Sequence, residues 1–264
     1  MTQRYRMNEE CLTRFRSWFI NYVGSYPATD PVTLKKEHSL KVCQEILSIG
    51  SQMNLDTERM LLAETVALFH DIGRFEQYAR YGTFVDRKSE NHAELGVKVL
   101  REKEILDLLD KRSRDVIFKS ILNHNRLRIP EGETESVAFF SKLLRDADKI
   151  DIYRVVTDYY RAPSAERSAA IELDLPDTPD VSDEILHCLK TGRLADHQEL
   201  KSLNDFKLLQ LGWVYDVNFR PSLRIIRDRG YLKLLKEVLP QSGAIDDAYA
   251  VVIGVLEKRI AETG

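Results

Sequence analysis

Apolar residues recur with the period of an α-helix along almost the whole chain. The first such run is followed by prolines at positions 27 and 31, which end it. The alternation typical of a strand does not persist for five or six residues anywhere. The sequence therefore predicts an all-α helical bundle, with helices near residues 12–22, 33–50, 56–73, 92–109, 116–124, 136–160, 182–190, 200–215, 223–239 and 246–260.

The helical pattern is interrupted after residue 160 by prolines at positions 163, 176 and 179 and by an acidic string that a helix interior does not tolerate. A chain of 264 residues is long enough for one large domain with an appended subdomain. We expect an N-terminal helix in residues 1–30 that packs on the core, a main domain in residues 31–162, and an additional C-terminal helical subdomain in residues 163–264.

The net charge and the composition of the chain limit the kinds of partner and the compartment that we expect for it. The 42 acidic and 39 basic residues leave a formal net charge of -3, so no basic field indicates nucleic acid or an anionic membrane as the main partner. Cys11, Cys43 and Cys188 are far apart, which fits reduced thiols better than disulfides. No apolar stretch approaches the roughly 20 residues of a membrane span, and the N-terminus lacks a signal-peptide pattern. We expect a cytoplasmic protein.

Six metal-competent side chains lie in the first 150 residues, on helices that present core residues on the same faces. His38, for example, precedes Val42 by four residues. Buried imidazoles and carboxylates are costly without partners, and a bound metal is one way to satisfy them. The six are His38, His70, Asp71, His92, His124 and Asp148.

Each of these residues also has an ordinary interpretation when taken singly. A histidine on an apolar helix face is typical of a core residue with one hydrogen bond, and an aspartate near a helix end is typical of a cap. Taken together, four of the six histidines lie in phase with core residues, which favours one shared site. Neighbouring side chains diverge by about 100° on a helix, so Asp71 can bridge two ions while His70 binds one.

Three elements of this set resemble the signature of the HD-domain superfamily of metal-dependent phosphohydrolases: His38, the doublet His70-Asp71, and the run Ala-Asp-Lys-Ile-Asp at residues 147–151. The resemblance covers roughly residues 30–160 and implies an HD-domain-like helical bundle. Members with four ligands hold one metal, and those with an extra histidine pair hold two. The resemblance implies a first ion bound by His38, His70, Asp71 and Asp148, and a second bound by Asp71, His92 and His124.

The sequence leaves alternatives open for the last ligand residue and for the identity of the metal. Asp146 lies two residues before Asp148 on a different helix face and competes for its role, and the Ala-Asp-Lys context favours Asp148. A site of imidazoles and carboxylates without thiolate suits Fe, Mn, Co, Ni or Zn. Resemblance to the two-metal members favours iron or manganese, so we expect two divalent transition-metal ions.

Two metal ions about 3.5–4 Å apart can activate a hydroxide and hold the oxygens of a phosphoester, so hydrolysis requires no nucleophile from the protein. Besides Asp71, the candidate catalytic residues are cations near the ligands. Arg74 is favoured, with a surface salt bridge as an equal alternative, and Lys149 and Arg145 are the others. The irregular residues 80–88 are interpreted either as a lid over phosphate or base, or as a packed loop.

These expectations together predict a metal-dependent phosphohydrolase that cleaves a phosphoester or phosphoanhydride of a small substrate, with a nucleotide favoured. Two alternatives stay open, namely a di-iron oxygenase of the HD type and an HD signalling module without catalysis. The complete ligand set argues against the second alternative, because silent modules are expected to lose ligands. The sequence leaves the substrate and the oligomeric state open, and a homo-oligomer is compatible with it.

Overall fold

The computed structural model of the chain describes residues 6–162, 172 and 175–262. All regular secondary structure in this part is helical, and the prediction of an all-α fold is confirmed. The chain divides into two compact units, Met1–Asp151 and Ile152–Gly264. The domain limits expected at residues 30 and 162 stay predictions. Of the interruption expected after residue 160, residues 163–171, 173 and 174 lie outside the described part.

The first unit is built from helices that follow one another with short connections. The last of them continues beyond Asp151, where the unit ends. A 3₁₀ helix at Asp86–Lys88 lies between the fourth and fifth. The helices are α1 (Glu9–Gly24), α2 (Asp30–Gln52), α3 (Thr57–Phe69), α4 (Ile72–Tyr81), α5 (His92–Glu102), α6 (Lys111–His124) and α7 (Glu135–Arg161).

In the second unit, the helix expected over residues 223–239 is two helices, Arg220–Asp228 and Tyr231–Glu237, separated at Gly230 with φ 68°. Two helices of the first unit also differ from their prediction. The helix expected over residues 56–73 is interrupted at the histidine-aspartate doublet, where Asp71 has φ -105° and ψ 15°. A new helix then begins at Ile72 and continues to Tyr81, inside the stretch interpreted as irregular. The helix expected over residues 92–109 ends at Glu102, because Glu104 has a left-handed backbone with φ 52°. The doublet therefore lies between two helices and not inside one.

Aromatic side chains in the core of the first unit pack on both sides of the interruption between α3 and α4. Phe15 of α1 packs edge-on against Phe69 at the end of α3, with 5.7 Å between ring centroids. Phe19, one turn further along α1, packs in the same way against Phe75 of α4 at 6.2 Å. All four rings are buried. A single helix thus holds the end of α3 and the start of α4, between which the doublet lies.

Helices α4 and α5 approach each other closely at a glycine. A Cβ on Gly73 would lie 2.2 Å from the carbonyl oxygen of His92 and 2.5 Å from the amide nitrogen of Gly96. Backbone atoms cannot move aside as the end of a flexible side chain does, so only glycine fits at position 73. The contact holds the first residue of α5 against the first turn of α4.

The second unit is also helical in its described residues. Its buried Asp205 accepts hydrogen bonds from the amide and the hydroxyl of Ser182 at 2.8 and 2.7 Å, which joins two of its helices. No described helix of either unit is long and apolar enough to cross a membrane. Beyond α7 the helices are α8 (Asp183–Lys190), α9 (Leu203–Gly212), α10 (Arg220–Asp228), α11 (Tyr231–Glu237) and α12 (Gly243–Ala261).

Replacing Gly73 by alanine tests the close approach of α4 and α5. We expect Gly73→Ala to lower the free energy of unfolding by about 1–3 kcal/mol, because two backbones must separate to admit the methyl group. Gly254→Ala is the matched control, since a Cβ there meets no atom within 4 Å. Urea unfolding of the two variants measures the difference, and equal stabilities would contradict the steric argument.

Candidate metal centre

Four of the six predicted ligands lie on four different helices, the other two lie between helices, and all six converge in the first unit. His38 lies within α2, the doublet lies between α3 and α4, and His92 is the first residue of α5. His124 is the last residue of α6, and Asp148 lies on α7. Five of the six side chains are buried, and that of Asp148 is 16% exposed. The structure thus brings together all the residues that the sequence analysis singled out as ligands.

One group of side chains gathers around His38. Ligand atoms of His38, His70 and Asp71 all lie within 4.8 Å of one another. Asp148 Oδ1 lies 3.1 Å from His38 Nε2 and 3.8 Å from His70 Nε2. We call these four residues the first cluster. They are the residues that the family resemblance assigns to the first ion.

A second group gathers around His92. Ligand atoms of Asp71, His92 and His124 also lie within 4.8 Å of one another. The Nε2 atoms of His92 and His124 are 3.0 Å apart, and Asp71 Oδ1 lies 3.5 and 3.8 Å from them. We call these three residues the second cluster.

Asp71 belongs to both clusters and offers one oxygen to each. Its Oδ2 lies 3.8 Å from His38 Nε2 and 3.6 Å from His70 Nε2. Its Oδ1 faces the two imidazoles of the second cluster. This is the arrangement that a carboxylate bridging two ions requires, because each ion then has its own oxygen.

The four imidazoles all turn Nε2 inward, because each Nδ1 has an acceptor outside the clusters. Backbone carbonyl groups accept from two of the rings and carboxylates from the other two. A carbonyl or carboxylate oxygen only accepts, so Nδ1 carries the proton and the lone pair of a neutral ring lies on Nε2. The pairs are His70 with Ala67 O at 2.7 Å, His124 with Ile121 O at 2.6 Å, His38 with Asp151 Oδ2 at 2.7 Å, and His92 with Asp86 Oδ2 at 2.8 Å.

The facing rings of the second cluster suit a bound cation. Burial lowers the pKa of His92, and it lowers the pKa of His124 to about 3, with further lowering from His92. Both rings are therefore neutral at pH 7, and two Nε2 lone pairs face each other across 3.0 Å. Lone pairs at this distance repel unless a cation lies between them. Neutral imidazoles are also the form that binds a metal.

The first cluster has a different charge balance. Burial lowers the pKa of His70. Burial acts in the same direction on His38, but its hydrogen bonds to Asp148 and Asp151 outweigh it and raise the pKa of His38. The pKa of Asp148 is held below its ordinary value, since His38 and His70 outweigh the effect of burial. Asp148 is thus an ionised ligand candidate.

Two cations flank the shared carboxylate. Lys35 Nζ lies 2.7 Å from Asp71 Oδ2, and Arg74 Nε lies 3.6 Å from Asp71 Oδ1. Burial would raise the pKa of Asp71, but Lys35, followed by His70 and Arg74, holds it well below its ordinary value. Lys35 was not among the residues predicted from the sequence. Its position three residues before His38, one turn away on α2, is the signal that could have identified it.

The predicted catalytic cations have different surroundings. Arg74 lies beside Asp71, and its Nη1 also donates to Asp86 Oδ1 at 2.8 Å. Lys149 is half-buried on α7, next in sequence to Asp148, and its catalytic role stays a prediction. Arg145 instead donates to backbone carbonyl oxygens at the end of α6, including that of His124 at 3.3 Å. This contact stabilises the helix end that carries His124.

Of the two aspartates that competed for the last ligand position, Asp148 is the one whose carboxylate lies against His38 and His70. Asp146 is two residues earlier on α7, so its side chain leaves the helix about 200° away from that of Asp148. It is fully buried. The geometry therefore supports Asp148 as the ligand candidate.

One residue of the segment 80–88 contacts a candidate ligand directly. Asp86, on the 3₁₀ helix of this segment, accepts the hydrogen bond from His92 Nδ1. From the sequence, this segment was interpreted either as a lid over phosphate or base or as a packed loop, and its contact with a ligand was not predicted. Asp151 was also not predicted as the partner of His38.

Residues 36–156 match a family model described as the HD domain. The matched residues include all six candidate ligands and end just inside the second unit. No curated protein and no solved structure matches the chain.

Removing one imidazole tests whether the two clusters are separate sites. We expect His124→Ala to lower the transition-metal content from two ions per chain to one, because only the second cluster loses a ligand. His187→Ala, an exposed residue of α8, is the control and should leave the content unchanged. Elemental analysis of the purified proteins measures the content. A variant His124→Ala that keeps both ions would show that the second cluster is misassigned.

Proposed function

We propose that this chain is a phosphohydrolase that uses two divalent transition-metal ions, because residues 36–156 match the family model described as the HD domain. Members of the family are commonly metal-dependent phosphohydrolases, and some are non-catalytic. The observation that carries the proposal is the carboxylate of Asp71, which offers one oxygen to each of two buried imidazole pairs. With a single metal ion, one of these oxygens and one imidazole pair would have no ion to bind.

The chain's own residues then have three tasks. The first and second clusters hold the metal pair, which, when bound, supplies an activated water and stabilises charge on the phosphoryl oxygens. The acceptors on the four Nδ1 atoms keep the imidazoles oriented. The burial of the ligands keeps bulk water away from Asp71 and so strengthens every charge interaction around it.

Arg74 and Lys149 are proposed to neutralise the phosphate and the leaving group. The 3.6 Å separation between Arg74 Nε and Asp71 Oδ1 supports this role for Arg74. The Nε atom is buried and has no hydrogen-bond partner among the described residues, so it can donate to an additional acceptor. Lys149 is proposed because it adjoins Asp148 on α7. No protein nucleophile is required.

The substrate is proposed to be a small phosphoester or phosphoanhydride, with a nucleotide favoured. Iron or manganese is the favoured metal, and the imidazole and carboxylate ligands also suit Zn, Ni or Co. The complete ligand set supports catalysis over a silent signalling role, since the structure gives every predicted ligand a place in one of the two clusters.

Reconstitution with defined metals tests the proposed function. We expect the metal-free protein to release phosphate from aryl phosphates or nucleotides only after Mn²⁺ or Fe²⁺ is added. Asp71→Asn should lower this activity to the level of the metal-free protein, because the amide cannot bridge two ions. Phosphate release and metal content are measured together. Oxygen consumption without phosphate release would favour the oxygenase, and the absence of bound metal would favour the silent module.

Neutralising the two proposed cations tests their roles. Arg74→Gln and Lys149→Gln should each lower kcat by about 10²–10³-fold, the cost of removing one group that stabilises transition-state charge. Metal content must be measured alongside, because Arg74 also contacts Asp86. Arg80→Gln is the control, since Arg80 is exposed and pairs with Glu76 and Glu90. An unchanged kcat in either test variant would remove that residue from the mechanism.

A further inference from the structure

Asp86 lies where four hydrogen-bond donors meet. Its carboxylate accepts from His92 Nδ1 at 2.8 Å, Arg74 Nη1 at 2.8 Å, Gln77 Nε2 at 2.9 Å and Asn125 Nδ2 at 3.4 Å. If the carboxyl group were protonated, its own O–H would face these N–H donors and would have no acceptor among them. The arrangement therefore suits only the carboxylate form, which acts purely as an acceptor.

The position of Asp86 is fixed from α4 by Gln77. This side chain is fully buried, and its amide nitrogen donates to Asp86, to Ser89 Oγ at 2.9 Å and to Glu90 O at 2.9 Å. Its oxygen accepts from Arg74 at 2.8 Å. The buried amide of Gln77 thus joins α4 to the segment between α4 and α5, and Arg74 of α4 adds hydrogen bonds to Phe84 O and Asp86 Oδ1 of the same segment.

Asp86 contacts His92 on the side of the ring opposite to the cluster. Nδ1 binds Asp86, and Nε2 faces Asp71 and His124. Asp86 therefore does not compete for the ion that the second cluster would hold. Its effect on the ring is to keep the proton on Nδ1 and to leave the lone pair on Nε2.

We propose that Asp86 is a positioning residue for the second cluster, which makes metal binding there dependent on the segment between α4 and α5. Asp151 has the equivalent role for His38 in the first cluster, but from within helix α7. The inference rests on the metal binding of the proposed function and not on phosphoester hydrolysis. The two clusters thus differ in the part of the chain that orients a histidine: helix α7 in the first cluster and the segment between α4 and α5 in the second.

The matched pair Asp86→Asn and Asp151→Asn tests this assignment. An asparagine keeps the size of the side chain, but its NH₂ group can donate to Nδ1 and move the ring proton to Nε2, where it blocks a metal. In titrations with Zn²⁺ alone, we expect Asp86→Asn to weaken binding at the second cluster by about 10–100-fold and to leave the first unchanged. Asp151→Asn should do the reverse. Asp107→Asn, at an exposed position, is the control.

A second measurement reads the tautomer directly in the metal-free protein. Long-range ¹H–¹⁵N NMR spectra of the imidazoles should show His92 with its proton on Nδ1 in the wild type and on Nε2 in Asp86→Asn. An unchanged tautomer together with unchanged Zn²⁺ affinity would overturn the proposal, and so would equal weakening of both clusters. If the wild type binds neither Zn²⁺ nor the favoured Mn²⁺, the metal binding of the proposed function fails, and the tautomer alone decides the role of Asp86.

Gln77→Met covers the case in which Asp86→Asn does not fold. Methionine has a similar shape and removes the donor that fixes Asp86, while the carboxylate itself is kept. We expect a mixture of His92 tautomers and a smaller loss of Zn²⁺ affinity, confined to the second cluster. A fully Nδ1-protonated ring with wild-type affinity would show that the segment does not control the site.

Discussion

The rest of the first unit depends on the burial of one ionised carboxylate, that of Asp71. A buried charge is stable only where opposite charges and hydrogen-bond donors surround it, and removing one partner of such a group typically costs about 3–5 kcal/mol. Here Lys35 comes from α2 and Arg74 from α4, while imidazoles come from both sides of the carboxylate. The helices that carry these groups must therefore pack around a single point, and the first and second clusters are a consequence of the same convergence.

The ends of helices orient half of the imidazoles. The last four carbonyl groups of a helix have no amide partner within it. His70 directly follows α3 and donates to Ala67 O, and His124 ends α6 and donates to Ile121 O, each three residues back. Arg145 takes up further carbonyl groups at the end of α6. The imidazole of a ligand at such a position is oriented by a carbonyl group of its own helix.

The sequence was sufficient for the fold class and for the set of ligand candidates, because helical periodicity and the phase of each candidate relative to core residues are local properties. The interruption at His70-Asp71 was not predictable, since neither residue breaks a helix by itself. It follows from the packing of α1 against both α3 and α4 and from the contact at Gly73. The pairing of His38 with Asp151 joins residues 113 apart, and no local pattern reveals a contact of that range.

In both clusters a carboxylate orients a histidine ring, but the two carboxylates lie on segments of different stability. In the first cluster, Asp151 orients His38 from the interior of a long helix. In the second, Asp86 orients His92 from a short 3₁₀ helix, which side chains of α4, Gln77 and Arg74, hold in place. Segments with few backbone hydrogen bonds of their own open more readily than helix interiors. A change that loosens the segment between α4 and α5 therefore acts on one ion of the proposed pair before it acts on the other.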